Sequence, residues 1–283
     1  MGTATALDDL VERALGGSRD ALEALVRAVQ DDVYGLSLRM LWHPQDAADA
    51  TQEILIKIIT HLGSFRGESA FRTWCYRVAS NHLLTIRASR AERRRVSFEA
   101  LGEEFAIEGS AREPRAFTSP DHDLLAQEVK LGCTLGMLLC LDRPHRLAYI
   151  VGEILDFSGD EGAELTDTPP VTYRKRLSRA RARMRAFMEQ RCGLVNEEAA
   201  CRCSKQIGPA LEKGSIDANK PLFAGHPERL VDARSLLPKL RELEELHATV
   251  QIYRGHPDYA APASIALALR ELLRARTPSV LSD

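Results

Sequence analysis

Apolar residues recur along most of this chain at the three- and four-residue intervals of a helix, and no alternating strand pattern extends far enough to compete. Ser18 and Asp20 can cap a helix running to about Met40. Pro44 and Asp46 can start a second, with Ile54, Ile58 and Leu62 on one stripe, Leu55 and Ile59 beside them, and Asp49, Gln52 and Glu53 on the other side. A third, roughly Ala70–Arg90, turns Val78, Leu83 and Ile86 inward. Phe71 and Trp74 sit at helical spacing beside Val78, which makes them core residues before base-stacking platforms. The fold class this predicts is all-α.

Residues 96–125 break the rhythm. Seven acidic residues against two arginines, with Pro114 and Pro120, read as a flexible acidic linker. A second helical unit spans about Asp123–Gln190. Within it, Phe157–Leu165, a turn at Thr166–Pro169 and then Pro170–Met188 make a helix-turn-helix candidate, since proline is tolerated at a helix start. Further helices follow over Pro227–Tyr253, through Leu230, Leu236, Leu240 and Leu243, and over Pro262–Arg276, through Ile265, Leu269 and Leu272.

Charge sharpens the picture because it is local. The chain of 283 residues has a net charge of only −2, yet eight arginines against two glutamates lie between Arg66 and Arg95. Residues 170–191 add a second basic run, seven arginines and Lys175 against Glu189. Arginines can hold a phosphate backbone, and a basic helix can enter the major groove N-terminus first. Basic helices are also common as solvated faces, so the second run alone decides nothing. The N-terminus has no apolar core and carries Asp8, Asp9 and Glu12, unlike a signal peptide. The longest apolar run falls far short of the ~20 residues of a membrane span. Six cysteines do not form a disulfide framework at this length, and a cytoplasmic protein is expected. No Gly-rich phosphate loop, paired metalloprotease histidines or nucleophile elbow points to an enzyme.

The order of these parts carries a family resemblance. Asp46-Ala47-Ala48-Asp49-Ala50-Thr51-Gln52-Glu53, then Phe65-Arg66-Gly67-Glu68-Ser69-Ala70-Phe71-Arg72-Thr73-Trp74, then Tyr76-Arg77-Val78-Ala79-Ser80-Asn81 resemble region 2 of an extracytoplasmic-function sigma factor of the sigma-70 family. Phe157-Ser158 through Val171-Thr172-Tyr173-Arg174-Lys175-Arg176-Leu177-Ser178-Arg179-Ala180-Arg181 resembles region 4 of the same group. The organisation implied is region 2 over 1–95, an acidic linker over 96–122, region 4 over 123–191 and a cysteine-containing helical C-terminal extension over 192–283.

The resemblance implies that Asp49, Gln52 and Glu53 dock on core RNA polymerase. It implies that Phe65, Arg66, Gly67, Glu68 and Ser69 form the loop that traps a flipped base of the minus-ten element, an expense of a few kcal/mol that a pocket can offset. Asn81 would contact the same element, with Arg87, Arg90, Arg93, Arg94 and Arg95 on phosphates. Thr172, Arg174, Lys175, Arg176 and Arg179 would read the minus-35 element. Region 4 departs from the family pattern: Thr166-Asp167 replaces the usual turn glycine, although Asp tolerates a left-handed backbone. Gly159 and Gly162 stand where larger side chains are expected and are read as thinning the packing, with Ala163 as the small residue that lets the helices approach.

Cys192, Cys201 and Cys203 form a C-x8-C-x-C cluster directly after the basic helix. Three thiols so close can hold zinc or copper, with His226, His247 or His256 as a fourth ligand, although the spacing lacks a paired C-x2-C knuckle. The competing reading is reduced cysteines at a helical junction. Cys75, Cys133 and Cys140 lie in apolar helical patterns and read as core. No cofactor is required for the sigma reading. Its partners are core RNA polymerase and promoter DNA, with regulation by an anti-sigma protein or by residues 192–283 in cis, and without membrane insertion. A stand-alone helix-turn-helix regulator and a cysteine-based metal or redox sensor are the alternatives.

Overall fold

The computed structural model describes residues 2–89, 91–94, 96–109, 120–219, 221–223 and 245–275. Twelve α-helices lie among them: α1 Gly2–Leu15, α2 Arg19–Leu41, α3 Pro44–Thr60, α4 Phe71–Thr85, α5 Phe98–Gly109, α6 Pro120–Leu138, α7 Arg143–Tyr149, α8 Gly159–Leu165, α9 Pro170–Arg191, α10 Ile207–Glu212, α11 Glu245–Arg254 and α12 Ala263–Ala275. The all-α expectation holds, with a single isolated backbone bridge, Cys192 to Cys201, outside the helices among the described residues.

The expected caps form. Ser18 Oγ accepts from the Ala21 amide, and Pro44 takes the first turn of α3, where a missing N–H leaves nothing unpaired. Leu22, Leu25, Val29, Val33 and Leu36 of α2 bury against Ile54, Leu55, Ile58 and Ile59 of α3. Trp42 ends α2 at φ 67°, a left-handed conformation that costs a non-glycine residue energy. Its indole Nε1 donates to Gly132 O of α6 at 2.8 Å, so a long-range contact holds the turn.

The third helix stops at Thr85, earlier than the sequence pattern suggests. Arg143 donates to Ile86 O at 2.6 Å and to Arg87 O at 3.1 Å, so a guanidinium from another part of the chain takes up carbonyls just past the helix end. The segment read as an irregular linker also holds a surprise, because α5 forms inside it. Ser97 Oγ accepts from the Ala100 amide at 3.1 Å, and the Phe98 ring lies 5.1 Å from that of Phe187 on α9. Tertiary contact with α9 and a capping serine outweigh the weak periodicity. Residues 110–119 of that segment lie outside the described residues.

One large core runs from α1 to α12, and a second, small cluster of Val129, Ile207 and Ile216 joins α6 to α10. Tyr76 of α4 meets Phe157 edge-on at 5.5 Å, just ahead of α8, and Arg77 pairs with Glu164 at 3.6 Å. Helix α11 packs on α9, and α12 packs on α2 and α3. Of the leucine pattern over Pro227–Tyr253, only the C-terminal helix α11 falls within the described residues.

Candidate nucleic-acid interface

The loop before α4 is held from beneath and open above. Phe65 packs on Phe71 at 5.5 Å, edge to face, and on Trp74 at 5.6 Å. Phe71 and Trp74 are buried, as their spacing suggests. Gly67 sits at φ 71°, which only glycine adopts without strain, and this lifts Arg66, Gly67 and Glu68 into solvent while Ser69 stays half-buried. Phe65 is therefore the loop's anchor, with only part of its ring on offer. Asn81 and Arg87 are exposed. At 1.5 Å per residue, Asn81 lies roughly 15 Å along the axis from the start of α4, the reach of a few nucleotides. Arg90 and Arg95 lie outside the described residues, and the side chain of Arg94 with them.

On α3, Asp49 is exposed and accepts from Gln45 Nε2 at 2.9 Å, Gln52 is half-buried, and Glu53 is exposed with an oxygen 3.2 Å from His82 Nε2. Burial first, and then the Lys57 charge, depress the His82 pKa against the pull of Glu53, so the imidazole is neutral near pH 7. His82 therefore adds no positive charge beside Glu53. His82 was not singled out by sequence, because its role arises only from the packing of α4 on α3.

The helix-turn-helix closes through a contact opposite to the one expected. A Cβ on Gly162 would stand 2.2 Å from Tyr173 Cζ, and one on Gly152 would stand 2.7 Å from a Leu177 methyl. Tyr173 is fully buried in the space these glycines leave. Gly162 thus permits close packing, where the sequence alone suggested loosened packing. Ser158 and Glu161 form a reciprocal capping box, and Asp167 takes the left-handed turn position at φ 48°.

At the N-terminal half of α9, Arg174, Lys175 and Arg179 are exposed and Thr172 is half-buried. Arg176 donates to Thr168 Oγ1 at 3.1 Å and so also braces the turn. Further along, Arg181 pairs with Glu153 and Arg185 with Glu189. The basic run therefore divides: its first turns face solvent, with Arg174 reaching Asp160 at 3.8 Å, and two of its later arginines engage Glu153 and Glu189.

Cys192 is buried, while Cys201 and Cys203 are half-buried. Among the described residues no group of three or more His, Cys, Asp or Glu stands ready to hold a metal ion. His256 is committed elsewhere, with its ring nitrogens 2.8 Å from Thr134 Oγ1 and 2.9 Å from Tyr259 Oη. His226 and the side chain of His247 lie outside the described residues. No helix among the described residues is long and apolar enough to cross a membrane.

Comparison with known proteins matches this arrangement. A family model described as sigma-70 region 2 matches residues 25–95. The RNA polymerase sigma-H factor of Pseudomonas aeruginosa is 31% identical over 172 residues, covering 61% of this chain and 88% of the relative. The ECF RNA polymerase sigma-E factors of Haemophilus influenzae and Escherichia coli are 32% and 33% identical, covering 61% of this chain and 89% and 88% of theirs. Such coverage of whole relatives sets aside the reading as a stand-alone helix-turn-helix regulator. This chain belongs to the extracytoplasmic-function family of RNA polymerase sigma factors.

Proposed function

We propose that this sigma factor docks on core RNA polymerase through Asp49, Gln52 and Glu53 of α3. It reads the minus-ten element with the Phe65–Ser69 loop and Asn81, and the minus-35 element with Arg174, Lys175 and Arg179. The carrying observation is that all three surfaces stay accessible while their apolar undersides are buried in one core. Residues 1–95 act as region 2 and 123–191 as region 4, and the protein works in the cytoplasm with the polymerase. Reversing two charges, Asp49→Arg with Glu53→Arg, should weaken holoenzyme assembly at least about tenfold, in the range of a lost charged contact. Thermal stability should stay near the parent's, since both side chains are exposed. Unchanged polymerase affinity in a folded double variant would refute the docking face.

The described form is a closed one. The element names place the two promoter sites about 25 base pairs apart, roughly 85 Å along B-DNA at ~3.4 Å per pair. The Tyr76–Phe157 contact instead brings the minus-ten helix against the helix-turn-helix unit. Both elements are engaged together only after that contact opens. Residues 245–275 brace the closed form from both sides. Arg254 donates to Glu153 O at 2.6 Å and pairs with Asp156 at 2.5 Å, while Arg270 pairs with Glu23 at 2.6 Å and the Ala261 amide donates to Asp31 at 2.9 Å. The extension thus favours the state that cannot span a promoter, regulation in cis. Fluorescent probes at the exposed positions Thr60 and Ser178 should move apart by tens of ångströms when core polymerase is added. Joining Arg254→Glu to Arg270→Glu should lengthen the free-chain distance as well. A distance unchanged by polymerase would end this reading.

A further inference from the structure

A cavity of about 950 Å³ lies between α5, α6, the segment after α9 and α10. That volume is at the upper end of small-molecule pockets, which run roughly 300–1,000 Å³. Leu101, Val129, Met137, Leu139 and Ile216 give it apolar walls, and none of the residues assigned to promoter or polymerase contact lines it. Two polar groups in the lining stand out. Gln206 is 6% exposed, and its Nε2 is buried with no hydrogen-bond partner among the described residues. Gln127 Oε1 is buried and unpartnered in the same way. Buried amide groups are costly to leave unpaired, and here a donor and an acceptor line one cavity.

The charge of the lining narrows the ligand. Lys130, Arg202 and Lys213 line the cavity, with Asp123 as the acid among the lining residues. Arg202 donates to the Glu197, Ala199 and Cys201 carbonyls, neutral acceptors that leave its charge in place. Gln127 and Lys130 stand three residues apart on α6 and so share a face. That helix packs on the short turn Cys203–Gln206. We propose that this cavity binds an amphipathic carboxylate of the N-acyl amino acid type, and that its occupant holds the closed form of the chain.

The carboxylate accepts from Gln206 Nε2 and is set against the basic lining, a charge-assisted contact. The neighbouring amide N–H donates to Gln127 Oε1, and the acyl chain covers the apolar wall. A wholly apolar ligand would leave both glutamines unpaired, and an alkyl ammonium would meet like charge. The walls come from three parts of the chain: Trp42 and Ala91 from residues 1–95, α6 from residues 123–191, and Cys192 to Ile216 from the extension. Only the closed form presents the whole cavity, so a ligand bound there favours that form by the factor 1 + [L]/Kd. This regulatory half rests on the closed form described above; the binding itself does not.

The test titrates the full-length chain with N-dodecanoylglycine and follows tryptophan emission. The chain has two tryptophans; Trp42 lines the cavity, while Trp74 packs on Phe65 and Phe71. A saturable change at one equivalent is expected, with a Kd of about 100 μM or tighter, an ordinary efficiency per atom for a ligand of this size. Trp42→Phe should remove the signal but keep the calorimetric stoichiometry. The methyl ester should bind at least about tenfold more weakly, the scale of one charged hydrogen bond. Gln206→Leu should lose affinity by a similar factor yet be no less stable than the parent, because it deletes an unpaired buried amide. No saturable binding up to 1 mM on the order of ten times that Kd, an ester that binds as well as the acid, or undiminished affinity in Gln206→Leu would each overturn the site. The ester arm needs no variant, so a misfolded Gln206→Leu chain does not shelter the idea. With probes at Thr60 and Ser178, ligand at ten times its Kd should raise the polymerase concentration needed to separate them roughly tenfold. An unshifted polymerase titration would overturn the regulatory half, whereas probes that polymerase never separates would refute the closed form and leave the binding results to decide the site.

Discussion

Replacing Arg146 with Met should lower the unfolding free energy by roughly 3–5 kcal/mol, the range for breaking a buried charge pair on one side. Arg146 is 2% exposed, and its guanidinium donates to Leu138 O at 3.0 Å, Leu141 O at 2.9 Å, Glu92 Oε1 at 2.9 Å and Met40 O. One side chain therefore ties the end of α2, the loop after α6 and the segment that follows α4. Removing it leaves buried carbonyls without their donor and the Glu92 carboxylate with one guanidinium, that of Arg143, in place of two. Met fills the volume, so the loss reports the polar network and not a cavity. Lys should recover little, because a single ammonium cannot reproduce the planar fork. Urea denaturation measures the difference, and a loss below about 1 kcal/mol would show that water replaces the guanidinium.

The same network predicts an acid limb. Burial pushes the Glu92 carboxyl up, but hydrogen bonds from Arg143 and the Ser89 amide, with the charges of Arg146 and Arg143, outweigh it and hold the group at about 2. A depressed folded-state pKa contributes stability above the unfolded value of 4.5, and this is lost as pH falls from there towards 2. The Glu92→Gln chain should be less stable at neutral pH and should show a flatter decline over that window.

The parts of the fold legible in the sequence are those whose cause is local. Ser18, Pro44 and Pro170 place helix starts through groups within a few residues of them, and α2, α3 and α9 begin there. The stripe Ile54, Ile58, Leu62 needs only a helical repeat to be read as buried. The aromatic pair Phe71 and Trp74 is legible for the same reason. What escaped depends on partners far along the chain. Helix α5 needs Phe187, nearly ninety residues on, to bury Phe98. The end of α4 needs Arg143, whose guanidinium takes the Ile86 and Arg87 carbonyls. Spacing carries no record of such distances. The basic run of α9 was legible as charge, yet its division into exposed and paired arginines depends on where Glu153 lies.

Gly162 separates local reasoning from tertiary reasoning most sharply, because the two predict opposite signs. Helix propensity alone makes Gly162→Ala stabilising by up to ~1 kcal/mol, since glycine is the poorest helix former after proline. The packing of α8 on α9 makes it destabilising. The new methyl would sit 2.2 Å from Tyr173 Cζ and 2.3 Å from its hydroxyl oxygen, and Tyr173 is fully buried with nowhere to swing. Overpacking of this kind costs about 1–3 kcal/mol, which exceeds the propensity gain across most of that range. A net loss in denaturation is therefore expected, accompanied by weaker binding of minus-35 duplex, because the displaced ring would re-aim the helix that presents Arg174, Lys175 and Arg179. Tyr173→Leu removes the obstruction and leaves a smaller side chain in its place. Joined to Gly162→Ala, it should cost less than the two single losses combined, and the coupling between such contacting residues should fall at about 0.5–3 kcal/mol. Additive losses, or a Gly162→Ala chain more stable than the parent, would mean that α8 and α9 have slack enough to separate, and that glycine at this position serves no purpose in their approach.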